Sequence, residues 1–518
     1  MKRIAHVVLL AFLASGLPQF CQGQVSVLTY HNDNARTGAN TNETILTPAL
    51  VRSNVFKRAF TCAVDGYVYA QPLVAAGVNV PKAGTRNVVY IATEHDSVYA
   101  FDADTGRRYW HAKLLPPHGR TVSSIKDVGC DDLIPEIGVT STPVIDATTD
   151  TLYVLEKGKT NTVFFQRLHA LDLATGAEKF GGPVTLSASV EGTGDGSANG
   201  EVPYDSLRQH QRSALLFANG VVYIASAAHC DIGPYHGWIL GYGATNLQQV
   251  AVFNSTPNGG LGGVWMAGGG PAADGQGNIF CSTGNGTFDA NTNGDDYGDS
   301  VLMLDASNGL AVEDYFTPFN QSDLDANDTD LGSGGVLLLP DQPGAHPHEA
   351  IMAGKEGKLY LLDRDDLGEF QNGSDSQIVQ SLPNATGHAF YTPAYFNGFI
   401  YCQGEADVLK CFSITNGLLS TNPVSQSATA FDFPGAQASV SANGTNNAIV
   451  WTIEADAYTN NGVAVLHAYD ATDLTQELFN STTRRQPPGK AVKFAMPTIA
   501  NGHVYVGAVR RVVVYGVR

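Results

Sequence analysis

The sequence predicts an all-β protein made of repeated units. Glycine is abundant, with 56 among 518 residues, and only 15% of the residues are charged, which is typical of many short strands joined by tight turns. No long amphipathic helical pattern competes with the short β-branched and aromatic runs. Similar strand–turn–strand segments recur eight times along the chain, beginning at Val98, Leu168, Ile239, Val301, Leu359, Leu409, Leu466 and Val512.

Each repeat contains enough strand-forming runs for four strands. A repeat segment is an apolar strand, usually followed by an aspartate, a Gly or Asn turn and another strand, as in VYAFDADTGRRYW from Val98 and LHALDLATGAEKF from Leu168. A β-branched and aromatic run such as VVYIAT precedes it, and a run with proline or small residues such as AQPLVA comes earlier still. Four strands make one propeller blade, so we predict a single eight-bladed β-propeller over residues 24–518.

The two ends of the chain supply complementary parts of one blade. The last repeat stops at its third strand, at Arg518, and the strand-like run NVFKRAFTCAV stands ahead of the first repeat. Pairing these segments closes the ring and removes the exposed sheet edges that invite aggregation. We therefore predict that an N-terminal strand completes the last blade.

The N-terminus has the pattern of an export signal. Lys2 and Arg3 precede the apolar run VVLLAFLASG, and small residues follow up to a plausible cleavage point after Gly23. We predict that residues 1–23 are a signal peptide and that the protein is periplasmic or extracellular. No later run approaches the roughly 20 apolar residues of a membrane span. The net charge of −19 argues against nucleic acid as a partner, and we expect a monomer.

The cysteine count suits an oxidising compartment. Without Cys21, six cysteines remain, an even number. Cys402 and Cys411 flank the turn in YCQGEADVLKC and would stand opposite each other in a hairpin, which predicts a disulfide between them. We expect Cys281, in the strand NIFCST, to be a buried free thiol.

An acidic loop near the centre, CSTGNGTFDANTNGDDYGDS at 281–300, raises the question of a metal site. Asp289, Asn291, Asn293 and Gly294 follow the first half of a calcium-binding loop. Ser300 stands where such a loop requires a bidentate glutamate. The loop by itself is compatible both with a metal site and with a solvated turn.

The repeat resembles that of quinoprotein propellers, which carry pyrroloquinoline quinone (PQQ): an apolar strand, Ala-x-Asp, a Thr-Gly turn and a tryptophan. In the centre, STGNG, YGDSVLMLDASNG and YFTPFNQSDLDANDTDLGSGG follow the order seen in quinoprotein alcohol dehydrogenases. The resemblance implies that Asn285 is a metal ligand and that Asp328 is a metal ligand or the catalytic base. It implies that Asp330 is the extra carboxylate of lanthanide-using relatives.

Three further segments extend the same resemblance. GGVWMAGGGPAAD implies that Trp265 stacks on the quinone. AGKEGKLYLLDRDDLGE implies that Lys355 contacts the ortho-quinone oxygens. HCDIGPYHGWILGY implies that Asp231 is the acidic metal ligand, in place of the usual glutamate. The implied cofactors are PQQ and Ca²⁺ or a lanthanide.

The chain also departs from that family. The family has two adjacent cysteines where this chain has only Cys130, in the segment GCDD. Asn327 stands where the family has a tryptophan. The sequence has no C-x-x-C-H motif, which predicts that the protein carries no haem. Two functions follow as hypotheses: an exported dehydrogenase that oxidises an alcohol or sugar hydroxyl, or a non-catalytic scaffold that binds envelope proteins or glycans. A hydrolase is a distant third, because the histidines of AAHCD and GAHPHEA lack a nucleophile elbow or H-E-x-x-H motif.

Overall fold

The computed structural model describes residues 24–517. The predicted signal peptide, residues 1–23, lies outside the described residues. Within 24–517, none of the helices has the length and apolar character needed to cross a membrane.

Eight small sheets form a ring, which confirms the predicted eight-bladed propeller. Within each blade, consecutive strands pair antiparallel. Blade 1 contains Leu73–Val80, Gly84–Thr93, Ser97–Asp102 and Arg108–Lys113. Blade 2 contains Val144–Asp146, Thr151–Thr160, Val163–Asp172 and Val184–Thr185. Blade 3 contains Leu216–Ala218, Val221–Ala228, Trp238–Gly243 and Gln249–Asn254.

The next three blades repeat this order. Blade 4 contains Ala272–Ala273, Asn278–Ser282, Val301–Asp305 and Ala311–Thr317. Blade 5 contains Leu337–Leu338, Glu349–Ala353, Leu359–Asp363 and Gln380–Leu382. Blade 6 contains Ala394–Phe396, Phe399–Cys402, Asp407–Thr415, Leu418–Leu419 and Ser425–Phe431. Blade 7 contains Ser439–Asn443, Asn446–Glu454, Val465–Asp470 and Asp473–Asn480.

Blade 8 closes the ring with both ends of the chain, as predicted. It contains Thr498–Ala500 and the long segment His503–Val517, which folds back at Arg510 (φ 59°) so that Gly516 lies against the His503 ring. The N-terminal strand Phe56–Tyr67 pairs with the second half of that segment. All eight predicted repeat segments begin in the third strand of a blade.

Short elements decorate the ring. The α-helices are Pro48–Arg52 and Gln321–Ala326, and Ser124–Val128 is a π-helical turn. The 3₁₀ turns are Met266–Gly268, Ala290–Thr292, Ala306–Asn308, Leu331–Ser333 and Asp456–Asn460. The additional strands are Ala39–Asn40, Arg120–Ser123, Glu136–Ile137, Ser189–Glu191, Glu201–Pro203, Gln209–His210 and Glu369–Phe370.

The hydrophobic core is divided among the interfaces between neighbouring blades. Successive side chains of a strand point to opposite faces, so each blade buries one set of residues against each neighbour. In Val221–Ala228, for example, Val222 and Ile224 pack against blade 2, whereas Tyr223 and Ala225 pack against blade 4. This arrangement explains why the inner strands read as continuous apolar runs rather than as alternating ones.

The repeat signature Asp-x-x-Thr-Gly forms the turn after the third strand. In blade 1, Asp102 Oδ1 accepts hydrogen bonds from the backbone N–H groups of Asp104 and Thr105, at 3.0 and 2.8 Å. Gly176 takes the equivalent glycine position of blade 2 at φ 72°, and a Cβ there would lie 2.7 Å from the Trp110 ring. The repeat tryptophan therefore packs on the glycine turn of the next blade.

Buried tyrosines tie neighbouring blades together where tryptophan is missing. Tyr153, Tyr401 and Tyr505 stand in second strands, and each hydroxyl donates to a backbone carbonyl in the turn of the following blade. The distances are 3.0 Å to Ala244, 2.9 Å to Ala471 and 2.9 Å to Ala103. The last of these bonds joins blade 8 to blade 1 across the ring closure.

The predicted disulfide between Cys402 and Cys411 was wrong. The two strands pair one residue out of the expected register, so that Cys411 faces Tyr401 and Cys402 faces Lys410. The two thiols therefore point to opposite faces of blade 6, and both are free and buried. Cys281 is a buried free thiol, as predicted. The disulfide that forms joins Cys130 and Cys230, which are 100 residues apart.

Candidate functional site

The candidate site is a cavity at one end of the ring. Its walls come from loops that follow the second strands of blades 3, 4 and 5 and from segments that lead into several blades. The space measures about 810 Å³ when its open mouth is included. The lining residues are Asp132, Leu133, His210, Arg212, Ala227, Ala228, Cys230, Asp231, Tyr235, Gly263, Trp265, Gly284, Asp330, Lys355, Phe433, Lys493 and Phe494.

Four of the predicted site residues form one bonded group. Lys355, two residues after the strand Glu349–Ala353, places its Nζ 2.7 Å from Asp328 Oδ1 and 2.7 Å from Asp330 Oδ2. Asn285 donates from its backbone N–H to Asp330 Oδ1 at 2.8 Å and from Nδ2 to Asp328 Oδ1 at 3.1 Å. Asp330 is buried, whereas the Asp328 side chain is 71% exposed.

The remaining two predicted residues face the same cavity. The Trp265 ring is half-buried just before the turn Met266–Gly268, and Lys355 Nζ lies 5.9 Å from its centroid. Asp231 is exposed after the strand Val221–Ala228, and its Oδ1 accepts a hydrogen bond from the Tyr235 hydroxyl at 2.6 Å. The structure thus brings all six predicted residues to one site.

Burial and pairing set the charges of this group. Burial raises the pKa of Asp330, and the Lys355 ammonium and the Asn285 N–H offset only part of that effect. Burial opposes the charge of Lys355, but the nearby carboxylates of Asp330 and Asp328 outweigh it and raise the pKa of Lys355. Burial, with the nearby Asp231 charge, raises the pKa of Tyr235 well above its usual value, so its hydroxyl remains a donor.

The donor set fits a hard cation. We call Asp231, Asn285, Asp328 and Asp330 the oxygen cluster. When ionised, its three carboxylates with the one Lys355 ammonium leave two negative charges, and Asn285 Oδ1 is buried without a hydrogen-bond partner. Ca²⁺ and lanthanides prefer carboxylate and amide oxygens. Gly284 allows this close packing, because a Cβ there would lie 2.7 Å from Asp330 Oδ1.

The cavity lining also carries two cations with no acidic partner. Arg212 is buried with its guanidinium 4.8 Å from the Phe494 ring, and it donates from Nη2 to the Ala267 carbonyl at 3.0 Å. Lys493 Nζ lies 5.7 Å from the Phe433 ring and 5.5 Å from the Phe494 ring. Among residues 24–517, neither cation has a carboxylate within 4.0 Å. Burial lowers the pKa of Lys493 to about 8.

A family model matches residues 72–369, more than half of the chain: PQQ, described as the glucose/ethanol/alcohol dehydrogenase β-propeller domain. The chain belongs to the PQQ propeller family. The resemblance inferred from the repeats and the central segments is therefore confirmed. No sequence match was found among curated proteins.

Solved structures of quinoproteins share this fold. The quinohemoprotein alcohol dehydrogenase ADHIIG from Pseudomonas putida HK5 matches at 14% identity and a TM-score of 0.62, covering 95% of this chain and 80% of that one. The quinohemoprotein alcohol dehydrogenase from Comamonas testosteroni matches at 15% identity, a TM-score of 0.61 and the same coverage. A europium-containing methanol dehydrogenase matches at 12% identity and a TM-score of 0.60, covering 95% and 98%. At such identities the likeness shows the fold alone.

Sequence reasoning missed Arg212 and Lys493, the two unpaired cations in the cavity of this PQQ-family propeller. Arg212 stands directly before the buried run SALL, and Lys493 interrupts the apolar stretch AVKFAMPTIA. A single cation embedded in apolar residues is rarely fully buried without a partner, so this pattern was a usable signal. The Cys130–Cys230 pair had no such signal, because 100 residues separate the two cysteines.

The acidic loop that follows Asn285 is held together by its own hydrogen bonds. Asp289 Oδ1 accepts from the Asp296 N–H at 2.9 Å, and Asp296 Oδ1 accepts from the Asn258 N–H at 2.9 Å. Phe288 packs against Tyr315, with ring centroids 6.2 Å apart. The carboxylates of Asp289 and Asp296 thus order the loop, whereas Asn285, at its inner end, bonds to Asp330 of the cavity wall.

Proposed function

We propose that this protein is an exported dehydrogenase that uses PQQ and a hard metal ion to oxidise an alcohol or sugar hydroxyl. The observation that carries the proposal is that Asp231, Asp330, Lys355, Trp265 and two unpaired cations line one cavity, while Asn285 and Asp328 bond to Asp330 and Lys355 beside it. Membership of the PQQ propeller family supports the same class of chemistry.

The cavity suits a flat, anionic, aromatic cofactor. Trp265 on one wall and Phe433 and Phe494 on another supply ring faces for a planar ligand. Arg212 and Lys493 supply positive charge without a competing carboxylate, although the whole chain carries a net charge of −19. PQQ is a tricyclic quinone with three carboxylates, so its shape and charge match this lining.

The oxygen cluster would hold the metal ion beside the cofactor. Asp231, Asn285 and Asp330 supply oxygen donors in or next to the cavity, and Asp330 is the extra carboxylate that the resemblance associates with lanthanides. Lys355 holds Asp328 and Asp330 in position through two contacts of 2.7 Å. When bound, PQQ supplies a quinone that accepts hydride from the alcohol carbon, and the metal ion polarises that quinone.

Asp328 is proposed as the base that removes the substrate hydroxyl proton. Its side chain is 71% exposed, so a small alcohol can reach it, and its contact with Lys355 orients the carboxylate. General base catalysis by a positioned carboxylate contributes about 10²–10⁴-fold to a rate.

Export and electron transfer complete the proposal. The sequence of residues 1–23 supports export to the periplasm or the cell exterior. The lack of a C-x-x-C-H motif supports a chain without covalently attached haem, so that electrons leave to a separate acceptor.

Binding of PQQ tests this function directly. We expect equilibrium dialysis with Ca²⁺ or La³⁺ to give saturable PQQ binding, with quenching of tryptophan fluorescence. Lys493→Met should weaken binding by about tenfold or more, because a charge-assisted hydrogen bond contributes about 1.5–3 kcal/mol. Lys490→Met is the matched control: it removes the same charge from an exposed position three residues away and should have no effect.

Two results would overturn the proposal. The first is no saturable PQQ binding with either metal, which would favour a non-catalytic scaffold for envelope proteins or glycans. The second is equal weakening by Lys490→Met and Lys493→Met, which would mean that PQQ responds only to the overall charge.

A further inference from the structure

A second donor group lies at the edge of the same cavity. Asp132 follows the turn Ser124–Val128, His210 ends the strand Gln209–His210, and His229 directly follows the strand Val221–Ala228. Pairing of His210 with Ala227 brings the two histidines side by side, and their rings stack with centroids 4.1 Å apart. We call these three residues the histidine cluster.

The donor atoms of the histidine cluster converge on one carboxylate. His229 Nδ1 lies 2.9 Å from Asp132 Oδ2, and His210 Nδ1 lies 3.7 Å from the same oxygen. All three donor atoms lie within 4.8 Å of one another. In a tetrahedral zinc site with bonds of about 2.0–2.2 Å, neighbouring ligand atoms are about 3.3 Å apart. The two measured distances stand on either side of that value.

His210 differs from the protein's structural buried histidines. His169 places one ring nitrogen 2.9 Å from Glu156 and the other next to Glu178, so both nitrogens have partners. His210 is 6% exposed, its Nε2 is buried with no hydrogen-bond partner, and its Nδ1 is beyond hydrogen-bond distance of Asp132.

The disulfide fixes the two loops that carry the cluster. Cys130 lies two residues before Asp132, and Cys230 is the residue after His229. The covalent bond therefore holds together ligands that are 97 residues apart in the chain. Such support from surrounding groups is what a precise metal site requires.

We propose that Asp132, His210 and His229 bind a divalent transition-metal ion of the zinc class, with one coordination position open to the cavity. Two imidazoles and one carboxylate are the donor set of a catalytic zinc site, in which water or substrate takes the fourth place. Asp132 and His210 both line the cavity, so the open position faces it. When the ion binds at His229 Nδ1, it takes the place of the proton shared with Asp132; Nε2 takes a proton from Lys157, so the imidazole stays neutral and one proton is released to solvent. This site shares no residue with the oxygen cluster, and its test needs no PQQ.

Metal titration of the full chain tests the site. The protein is stripped with chelator and kept without reductant, because free thiolates of Cys130 and Cys230 would stand near Asp132 and become ligands themselves. Calorimetry with Zn²⁺ should show one tight site, and Co²⁺ should give the visible absorption bands of nitrogen-ligated cobalt. His210→Ala and Asp132→Asn should each weaken Zn²⁺ binding at least tenfold and abolish those bands.

The controls separate this proposal from the proposed function. His388→Ala, at a side chain that is 65% exposed, should leave Zn²⁺ binding unchanged, and so should Asn285→Ala. His210→Ala should in turn leave Ca²⁺ or La³⁺ binding unchanged. Circular dichroism checks that each variant is folded, and Asp132→Asn preserves shape if His210→Ala unfolds. The proposal is overturned if the native protein binds Zn²⁺ no more tightly than Asp132→Asn, whether or not PQQ binds.

Discussion

The oxygen cluster and the histidine cluster share one cavity but differ in donors and in origin. The oxygen cluster consists of three carboxylates and an amide; Lys355 contacts Asp328 and Asp330, and Asp231 bonds to Tyr235. The histidine cluster has two neutral imidazoles and one carboxylate, held by a disulfide. Hard cations prefer the first set and zinc-class ions the second, so we expect the two proposed sites to select different ions.

The largest effect should come from the exposed carboxylate of the oxygen cluster. Asp328→Ala should lower dye-linked alcohol oxidation by PQQ-loaded protein about 100-fold or more, because the proposed base is removed. The fold should persist, since exposed positions usually change stability within about 0.5 kcal/mol. Asp323→Ala, in the nearby helix Gln321–Ala326, is the control. Equal activity of the two variants would remove Asp328 from the mechanism.

Two buried acids also differ in their partners. Asp330 pairs with Lys355, whereas Glu94 accepts only from the Gly138 N–H at 2.7 Å and the Thr140 hydroxyl at 3.0 Å. Burial raises the pKa of Glu94 to about 7, so the folded protein keeps a proton that the unfolded chain loses above about pH 4.5. The stability that protonated Glu94 gives the folded protein is complete below about pH 4.5 and is lost as the pH rises through about 7.

Glu94→Gln tests this sign. Between pH 4.5 and 7, the free energy of unfolding should fall less in the variant than in the native protein, by up to about 3 kcal/mol. Urea unfolding at several pH values measures the difference. Parallel pH profiles for the two proteins would show that Glu94 titrates normally in the folded state.

Hard-cation binding should distinguish Asn285 from the acidic loop beside it. Asn285→Ala should weaken Ca²⁺ or La³⁺ binding about tenfold, because an oxygen donor with no other partner is lost. Asp289→Ala should leave the affinity unchanged, because that carboxylate bonds to its own loop. Calorimetry of both variants provides the measurement. Weaker binding in Asp289→Ala with unchanged binding in Asn285→Ala would move the metal site into the acidic loop. Unchanged binding in both variants would favour a non-catalytic scaffold.

The smallest effect concerns the blade interfaces, away from both clusters. Tyr401→Phe should lower the free energy of unfolding by about 1–3 kcal/mol, because the Ala471 carbonyl loses its buried donor. PQQ and metal binding should be unaffected. Tyr395→Phe, in the same blade but half-buried, is the control for urea unfolding. Weaker PQQ or metal binding in Tyr401→Phe would show that the blade interfaces influence the cavity.

The architecture was predictable because its signals are local. β-branched and aromatic runs, Asp-x-x-Thr-Gly turns and eight recurrences specify strands and blades without knowledge of distant contacts. The oxygen cluster was predictable for a related reason: its residues follow recognisable segments in family order, and the propeller carries those segments to one end of the ring. The structure placed all six predicted residues together, and their proposed roles remain predictions.

The sequence by itself determined the all-β class, the eight blades, the closing strand and the residues of the oxygen cluster. Only the tertiary structure decided the register that separates Cys402 from Cys411, the Cys130–Cys230 bond, the unpaired cations Arg212 and Lys493, and the histidine cluster. The physical reason is distance along the chain. A one-residue shift in pairing reverses which face a side chain occupies, and loops from different blades meet only when the ring closes.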